Sequence, residues 1–171
     1  MKKSSIALIG FMGTGKTAVG RLLAQETGKA FLELDALIEE RAGTSIAEIF
    51  RREGEIAFRE KEIAAVREVT GRPDTVIACG GGVVLNTINT ERLRTFCHIV
   101  CLTASPEAVI RRCSDDDTRP LLAGPDRMQI IQQLLRYRRP FYTRAADIMV
   151  GTSRLNPDGV VKMIMRKLET I

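Results

Sequence analysis

Residues 10 to 17 read Gly10-Phe11-Met12-Gly13-Thr14-Gly15-Lys16-Thr17, the spacing GxxxxGK followed by a hydroxyl residue. Such a loop can wrap a polyphosphate because glycines let successive backbone N–H groups turn inward, and a helix opening at Lys16 adds the positive end of its dipole. Lys16 then reaches the β and γ phosphates, and the Thr17 hydroxyl takes a place on Mg²⁺. The blander reading is a glycine-rich turn between a strand and a helix. However, the apolar run before the loop (5 to 9) and the apolar-periodic run after it (16 to 27) are the flanks a phosphate loop requires. Nucleotide binding is expected, and the second reactant stays open because unrelated tasks share this loop.

Acceptor chemistry has to come from the ends of other strands, where ligands of parallel α/β sheets collect. The stretch AFLELDALIEERAG, 30 to 43, puts Glu33 and Asp35 on one side of an extended chain with Asp35 at its tip. A carboxylate there accepts a hydrogen bond or a proton from a substrate hydroxyl; equally, Asp35 suits the N-cap of a helix from Ala36. In VIACGGGVV, 76 to 84, Gly80, Gly81 and Gly82 leave bare amides for a ligand to approach, or else mark a flexible loop. Arg59, Arg119 and Arg138 are expected in loops or at helix starts, and a planar guanidinium meets carboxylates and phosphates at two points. Taken singly, each is more often a solvated surface charge.

The elements that must hold these residues alternate along the chain. Strands are predicted at 5–9, 30–34, 75–79, 98–102 and 147–150, mostly without polar alternation, so both faces of their sheet are covered. Helices are predicted at 16–27 before Gly28, 36–42 before Gly43, 46–53 behind the capping box Ser45-Ile46-Ala47-Glu48, and 55–70 before Gly71. Others follow at 90–96, 106–112 from Pro106, 127–139 ended by Pro140, and 157–169. Strand alternating with helix means an α/β fold with a parallel sheet and right-handed crossovers. No repeat or linker divides the chain, which reads as one domain over 1–171, with a charged, turn-rich segment of lid length at about 113–126.

Composition narrows the partners. Net charge is +5, but the basic residues are dispersed, aromatics make up 5% and tryptophan is absent, so small anionic ligands are favoured over nucleic acid. Cys79, Cys97, Cys101 and Cys113 form no CxxC pair and read as reduced, buried thiols of a cytoplasmic protein. A zinc site from Cys97, His98 and Cys101 is disfavoured because a strand sends alternate side chains to opposite faces. The first apolar run stops at Gly10, too short for a leader or a membrane span.

Six segments together carry a family resemblance: GFMGTGKTAVGRLLA, LDALIEERAGTSIAEIF, GEIAFREKE, GGGVV, TRPLLAGPD and RRPFY. In this order and spacing the chain resembles the shikimate kinases from about residue 6 to 168. The resemblance implies a P-loop NTPase-like three-layer fold, with five parallel strands in the order 2-3-1-4-5, a substrate-binding region at about 33–61 and a mobile lid. It implies ATP with Mg²⁺ and transfer of the γ-phosphoryl group to the 3-hydroxyl of shikimate, giving shikimate 3-phosphate in the pathway to chorismate and aromatic amino acids. Gly13, Thr14, Gly15, Lys16, Thr17 and Ala18 would hold the phosphates, and Arg112, Arg154 and Pro157 the adenine. Asp35, Arg59, Arg138 and the Gly80–Gly82 loop would hold shikimate. Asp35 would activate the hydroxyl, and Lys16 and Arg119 would neutralise the moving phosphoryl group. By the same analogy the protein is a monomer that binds neither nucleic acid nor membrane. The family usually has Asp where this chain has Glu33, which is assigned to the metal with Thr17. Arg139 beside Arg138 leaves two arginines for one task, and spacing to Pro140 and Tyr142 favours Arg138. The alternatives are a P-loop kinase for another hydroxy acid or a nucleotide, and a nucleotide-binding protein without turnover.

Overall fold

Glycine at the loop, apolar strands and amphipathic helices assemble as a three-layer α/β sandwich. The structure, a computed structural model, describes residues 3–113 and 126–171. The strands are β1 (Ser5–Gly10), β2 (Ala30–Glu33), β3 (Thr75–Ala78), β4 (Cys97–Thr103) and β5 (Ile148–Gly151). All pair in parallel, in the order β2-β3-β1-β4-β5. The described helices are α1 (Lys16–Thr27), α2 (Leu34–Ala42), α3 (Ile46–Val69), α4 (Thr87–Phe96), α5 (Pro106–Cys113), α6 (Arg127–Ala145) and α7 (Pro157–Leu168), with a single 3₁₀ turn at Val83–Leu85. The lid segment and Arg119 lie outside the described residues.

Side-chain alternation sends each strand into two cores. Ala7, Ile9, Ile77 and Ile99 pack with α2, α3 and α6 on one face. Ile6, Leu8, Val76 and Val100 pack with α1 and α7 on the other. Covering both faces explains why β1 and β3 are buried along their whole length. Among the described residues, no helix is long and apolar enough to cross a membrane.

Several predicted boundaries move, each for a physical reason. β2 stops at Glu33, and α2 begins at once with Leu34, because Leu34, Leu37 and Ile38 form one buried i, i+3, i+4 stripe. Asp35 therefore lies in the first turn of a helix; it is neither at a strand tip nor at the N-cap, which is Glu33. Helix α4 starts at Thr87, earlier than predicted, with the Asn86 side chain accepting from the Ile88 amide at 2.9 Å. Pro140 does not end α6, which runs on to bury Tyr142 and Ala145. That burial outweighs the amide lost at the proline.

The predicted division between 46–53 and 55–70 survives as a break inside α3. Ser45 caps its start through the Glu48 amide, and Gly54 interrupts it at φ 82°, ψ 178°. A side chain at Gly54 would meet no atom within 4 Å, so the position demands glycine for its backbone alone. Gly54→Ala is accordingly expected to lower the free energy of unfolding by about 1–3 kcal/mol, read by urea denaturation with an unchanged m-value.

Candidate active site

The phosphate loop joins β1 to α1 at the carboxyl edge of the sheet. Gly10, at φ 141°, passes so close to β4 that an added Cβ would overlap the Leu102 carbonyl oxygen. Gly15 is the N-cap of α1 in a left-handed conformation (φ 91°) with no side-chain cap, leaving the first amides of the helix for an outside acceptor. Lys16 folds back so that its Nζ donates to the carbonyls of Gly10 (2.9 Å) and Phe11 (3.0 Å). Thr14 closes the turn from within, its Oγ1 donating to Phe11 at 2.7 Å. Ala18 stands exposed on the first turn beyond.

Thr17 donates its hydroxyl to Glu33 Oε1 at 2.6 Å, and Arg21 Nη2 lies 4.0 Å from the other carboxylate oxygen. Glu33 and the hydroxyl assigned to Mg²⁺ are thus neighbours across β2 and α1. A hydroxyl and a carboxylate are hard oxygen donors of the kind Mg²⁺ takes.

Beside the loop, three charged side chains converge on the three glycines after β3. The position a Cβ would take on Gly80 is 2.7 Å from Asp35 Oδ1, and on Gly82 it is 2.5 Å from Arg59 Nη1. On Gly81 it would lie 3.7 Å from Arg138 Nη1 and 3.6 Å from the Met12 amide of the phosphate loop. The glycines were expected to expose bare amides to a ligand. Two of them also make room, Gly80 for Asp35 and Gly82 for Arg59, while a Cβ on Gly81 would stand in ordinary contact with Arg138. Arg59 and Arg138 stand inside α3 and α6, not in loops or at helix starts as expected; Arg138 is 9% exposed and lies over the Phe11 ring, with its Nε without a hydrogen-bond partner among the described residues. Arg139 is exposed, and of the two it is Arg138 that lies beside the three glycines.

Two residues of this cluster carried no role in the sequence reading. Glu62, 1% exposed, accepts from Arg59 Nη1 at 3.1 and 3.2 Å, while Glu55 holds the other edge of the guanidinium at 3.2–3.3 Å. Burial raises the Glu62 carboxyl above the usual range; Arg59 pulls it down, Asp35 raises it and Arg138 lowers it. Its i, i+3 spacing to Arg59 was the available signal, hidden by its likeness to a solvated helix pair. Tyr142 is the second: its hydroxyl donates to the Gly81 carbonyl at 2.5 Å.

On the nucleotide side, Arg112 donates to the carbonyls of Gly13 (3.1 Å) and Thr152 (2.7 Å) and to Thr152 Oγ1 (2.9 Å). It thereby ties the end of α5 and the β5–α7 loop to the phosphate loop. Arg154 and Pro157 are exposed on that last connection, where Asn156 caps α7 by accepting from the Gly159 amide. Cys97 and Cys101 share one buried face of β4 and His98 points to the other, so these three do not meet as a zinc site. Burial pushes both thiols up to about 12.

The family model for shikimate kinase matches residues 12–169. This chain belongs to the shikimate kinase family. A shikimate kinase of Symbiobacterium thermophilum is 44% identical over 167 residues, covering 96% of each chain. One of Moorella thermoacetica is 46% identical over 165 residues, covering 96% of this chain and 94% of its own. The solved shikimate kinase of Acinetobacter baumannii in complex with shikimate superposes with a TM-score of 0.94 at 34% identity, covering 99% of this chain and 94% of that one. Membership makes the protein an ATP-dependent small-molecule kinase of the P-loop fold.

The glycine loop of this kinase can be tested without removing a functional side chain. In Gly82→Ala the new methyl would collide with the Arg59 guanidinium, which Glu55 and Glu62 hold from both sides. The expected result is a rise of about tenfold in KM for the acceptor acid, from a misplaced two-point clamp, with KM for ATP within twofold of the parent.

Proposed function

We propose that the protein transfers the γ-phosphoryl group of MgATP to the 3-hydroxyl of shikimate, giving shikimate 3-phosphate. One observation carries this reading: Gly81 stands between the two half-sites. The site of its missing Cβ is 3.6 Å from the Met12 amide and 3.7 Å from both the Gly10 carbonyl oxygen and Arg138 Nη1. An acid held by Arg138 and Arg59 against this loop has its ring hydroxyls at Asp35 and its neighbour in the phosphate loop, which is the arrangement in-line transfer requires.

Each residue then has a task set by its position. Arg59 and Arg138 bind the carboxylate, and Glu62 and Glu55 hold Arg59 in orientation. Asp35 orients the attacking hydroxyl and receives its proton as the oxygen forms its bond to the γ phosphorus. The bond from that phosphorus to the β–γ bridging oxygen breaks, and ADP leaves with the electron pair. The α1 amides and Lys16 take up charge on the phosphates, a task that the family resemblance gives to Arg119 as well. Arg112, Arg154 and Pro157 border the adenine.

Thr17 and Glu33 would hold Mg²⁺, Thr17 through its hydroxyl and Glu33 directly or through water. An ion held by these two residues would supply charge neutralisation for the phosphates. In this chain the Glu33 carboxylate accepts directly from the threonine hydroxyl. We also expect a monomer acting on soluble reactants in the cytoplasm.

The test is an ATP-consumption assay with shikimate, gluconate and a nucleoside monophosphate as competing acceptors, run beside Asp35→Asn and Lys16→Met. Shikimate should be the phosphorylated acceptor, and Asp35→Asn should lower kcat by about 10²–10⁴-fold, the usual worth of a positioned proton acceptor. Phosphorylation of another acceptor in place of shikimate, or equal rates in all three proteins, would refute the reading. For the metal pair, Glu33→Asp should shift the Mg²⁺ concentration giving half-maximal rate while leaving KM for shikimate in place; the opposite pattern would remove Glu33 from the metal.

A further inference from the structure

Helix α6 presents two polar groups to the same residue of the glycine loop. Arg138 reaches to within 3.7 Å of the site of a Gly81 Cβ, and Tyr142, one turn later at i+4, donates its hydroxyl to the Gly81 carbonyl at 2.5 Å. They share a face because the helix continues through Pro140, between them, instead of ending there. The Tyr142 ring is 5% exposed within the core that covers one face of the sheet. Burial pushes its phenol up to about 12, so it stays a neutral donor through the pH range of an assay.

Ring and hydroxyl have separable tasks. The ring fills core volume beside α6, a task phenylalanine performs equally well. The hydroxyl makes a tether between α6 and the loop, and the loop is also where Asp35 and Arg59 arrive from α2 and α3. We propose that Tyr142 is a positioning residue for the acceptor acid, its bond to Gly81 setting the gap between Arg138 and the Asp35–Arg59 side of the pocket. It touches neither reactant and acts through Arg138. The inference rests on the reading of Arg138 as a carboxylate ligand of shikimate.

The experiment compares the parent with Tyr142→Phe in the full chain, using shikimate and its methyl ester, which keeps the ring hydroxyls but lacks the negative charge. Steady-state kinetics, calorimetric binding and thermal melting are measured on each. For shikimate, Tyr142→Phe should raise KM and Kd together by about tenfold, the consequence of a guanidinium displaced by a fraction of an ångström, with kcat changed by less than about threefold and KM for ATP within twofold. For the ester, already weak on the parent, the substitution should add less than a twofold loss, because the carboxylate through which Tyr142 acts is gone. An equal loss for acid and ester, or a lowered melting temperature with KM for shikimate unchanged, would overturn the proposal and leave the hydroxyl a structural group. Absence of shikimate phosphorylation by the parent protein would instead overturn the underlying reading and this proposal with it.

Discussion

Asp35 and Arg59 can come this close to the loop after β3 only because Gly80 and Gly82 carry no side chain there, and the acceptor half of the site depends on that constraint. Asp35 comes from α2, Arg59 and Glu62 from α3, and Arg138 from α6. Placing such charges together out of water is costly unless each finds an opposite partner or a hydrogen bond. Arg59 is held by Glu55 and Glu62, which leaves its position well defined but much of its charge answered. Arg138 is answered less completely, with a buried Nε that has no hydrogen-bond partner among the described residues. The two arginines are therefore unequal: one is a fixed post and the other has donor capacity for an incoming acid.

Glu62 shows how this arrangement trades stability for orientation. Its carboxyl is raised by burial, so the folded state binds its proton more readily than the unfolded chain does. The sign is clear: stability from this group is present below the unfolded pKa and is lost as pH rises through the folded one. Ionising Glu62 in the folded state carries a desolvation cost that the neighbouring Arg59 offsets only in part. Its return is a guanidinium held from two sides at the rim of the glycine loop. A residue that would weaken a purely structural helix is in place where a substrate clamp needs a fixed anchor.

The phosphate loop was legible in the sequence because its chemistry is local. Spacing, flanking strand and helix are contiguous, and α1 begins at Lys16 and ends before Gly28 as the pattern requires. The sheet was legible from apolar runs that alternate with helical periods, although the strand order came from the family resemblance and not from the pattern. The acceptor site was less so, because its geometry is made between elements far apart in the chain. Arg59 and Glu62 on one helix read as an ordinary solvated pair until β3 and its glycines are set against them. Pro140 reads as a stop, and only the burial of Tyr142 and Ala145 explains why α6 continues. The break at Gly54 was legible, since glycine inside a helical pattern is costly and its backbone angles here suit little else.

The misplaced start of α2 has the largest functional consequence. In an extended chain, Glu33 and Asp35 would point the same way, since side chains two apart share a face. In the structure, β2 ends at Glu33 and the helix begins at Leu34 without a loop, so the two carboxylates separate. Glu33 turns to the Thr17 hydroxyl on the nucleotide side, and Asp35 to the Gly80 loop on the acceptor side. The cause is Leu34, which is fully buried and joins Leu37 and Ile38 in the core stripe of α2. An apolar side chain drawn into the core at the first helical position thus directs one acid toward the Thr17 hydroxyl and the other toward the Gly80 loop. Moving the helix start by one residue would turn Asp35 through about 100° around the helix axis, away from the space that Gly80 leaves open. Core packing at Leu34 and the division of labour between the two acids are consequently one constraint.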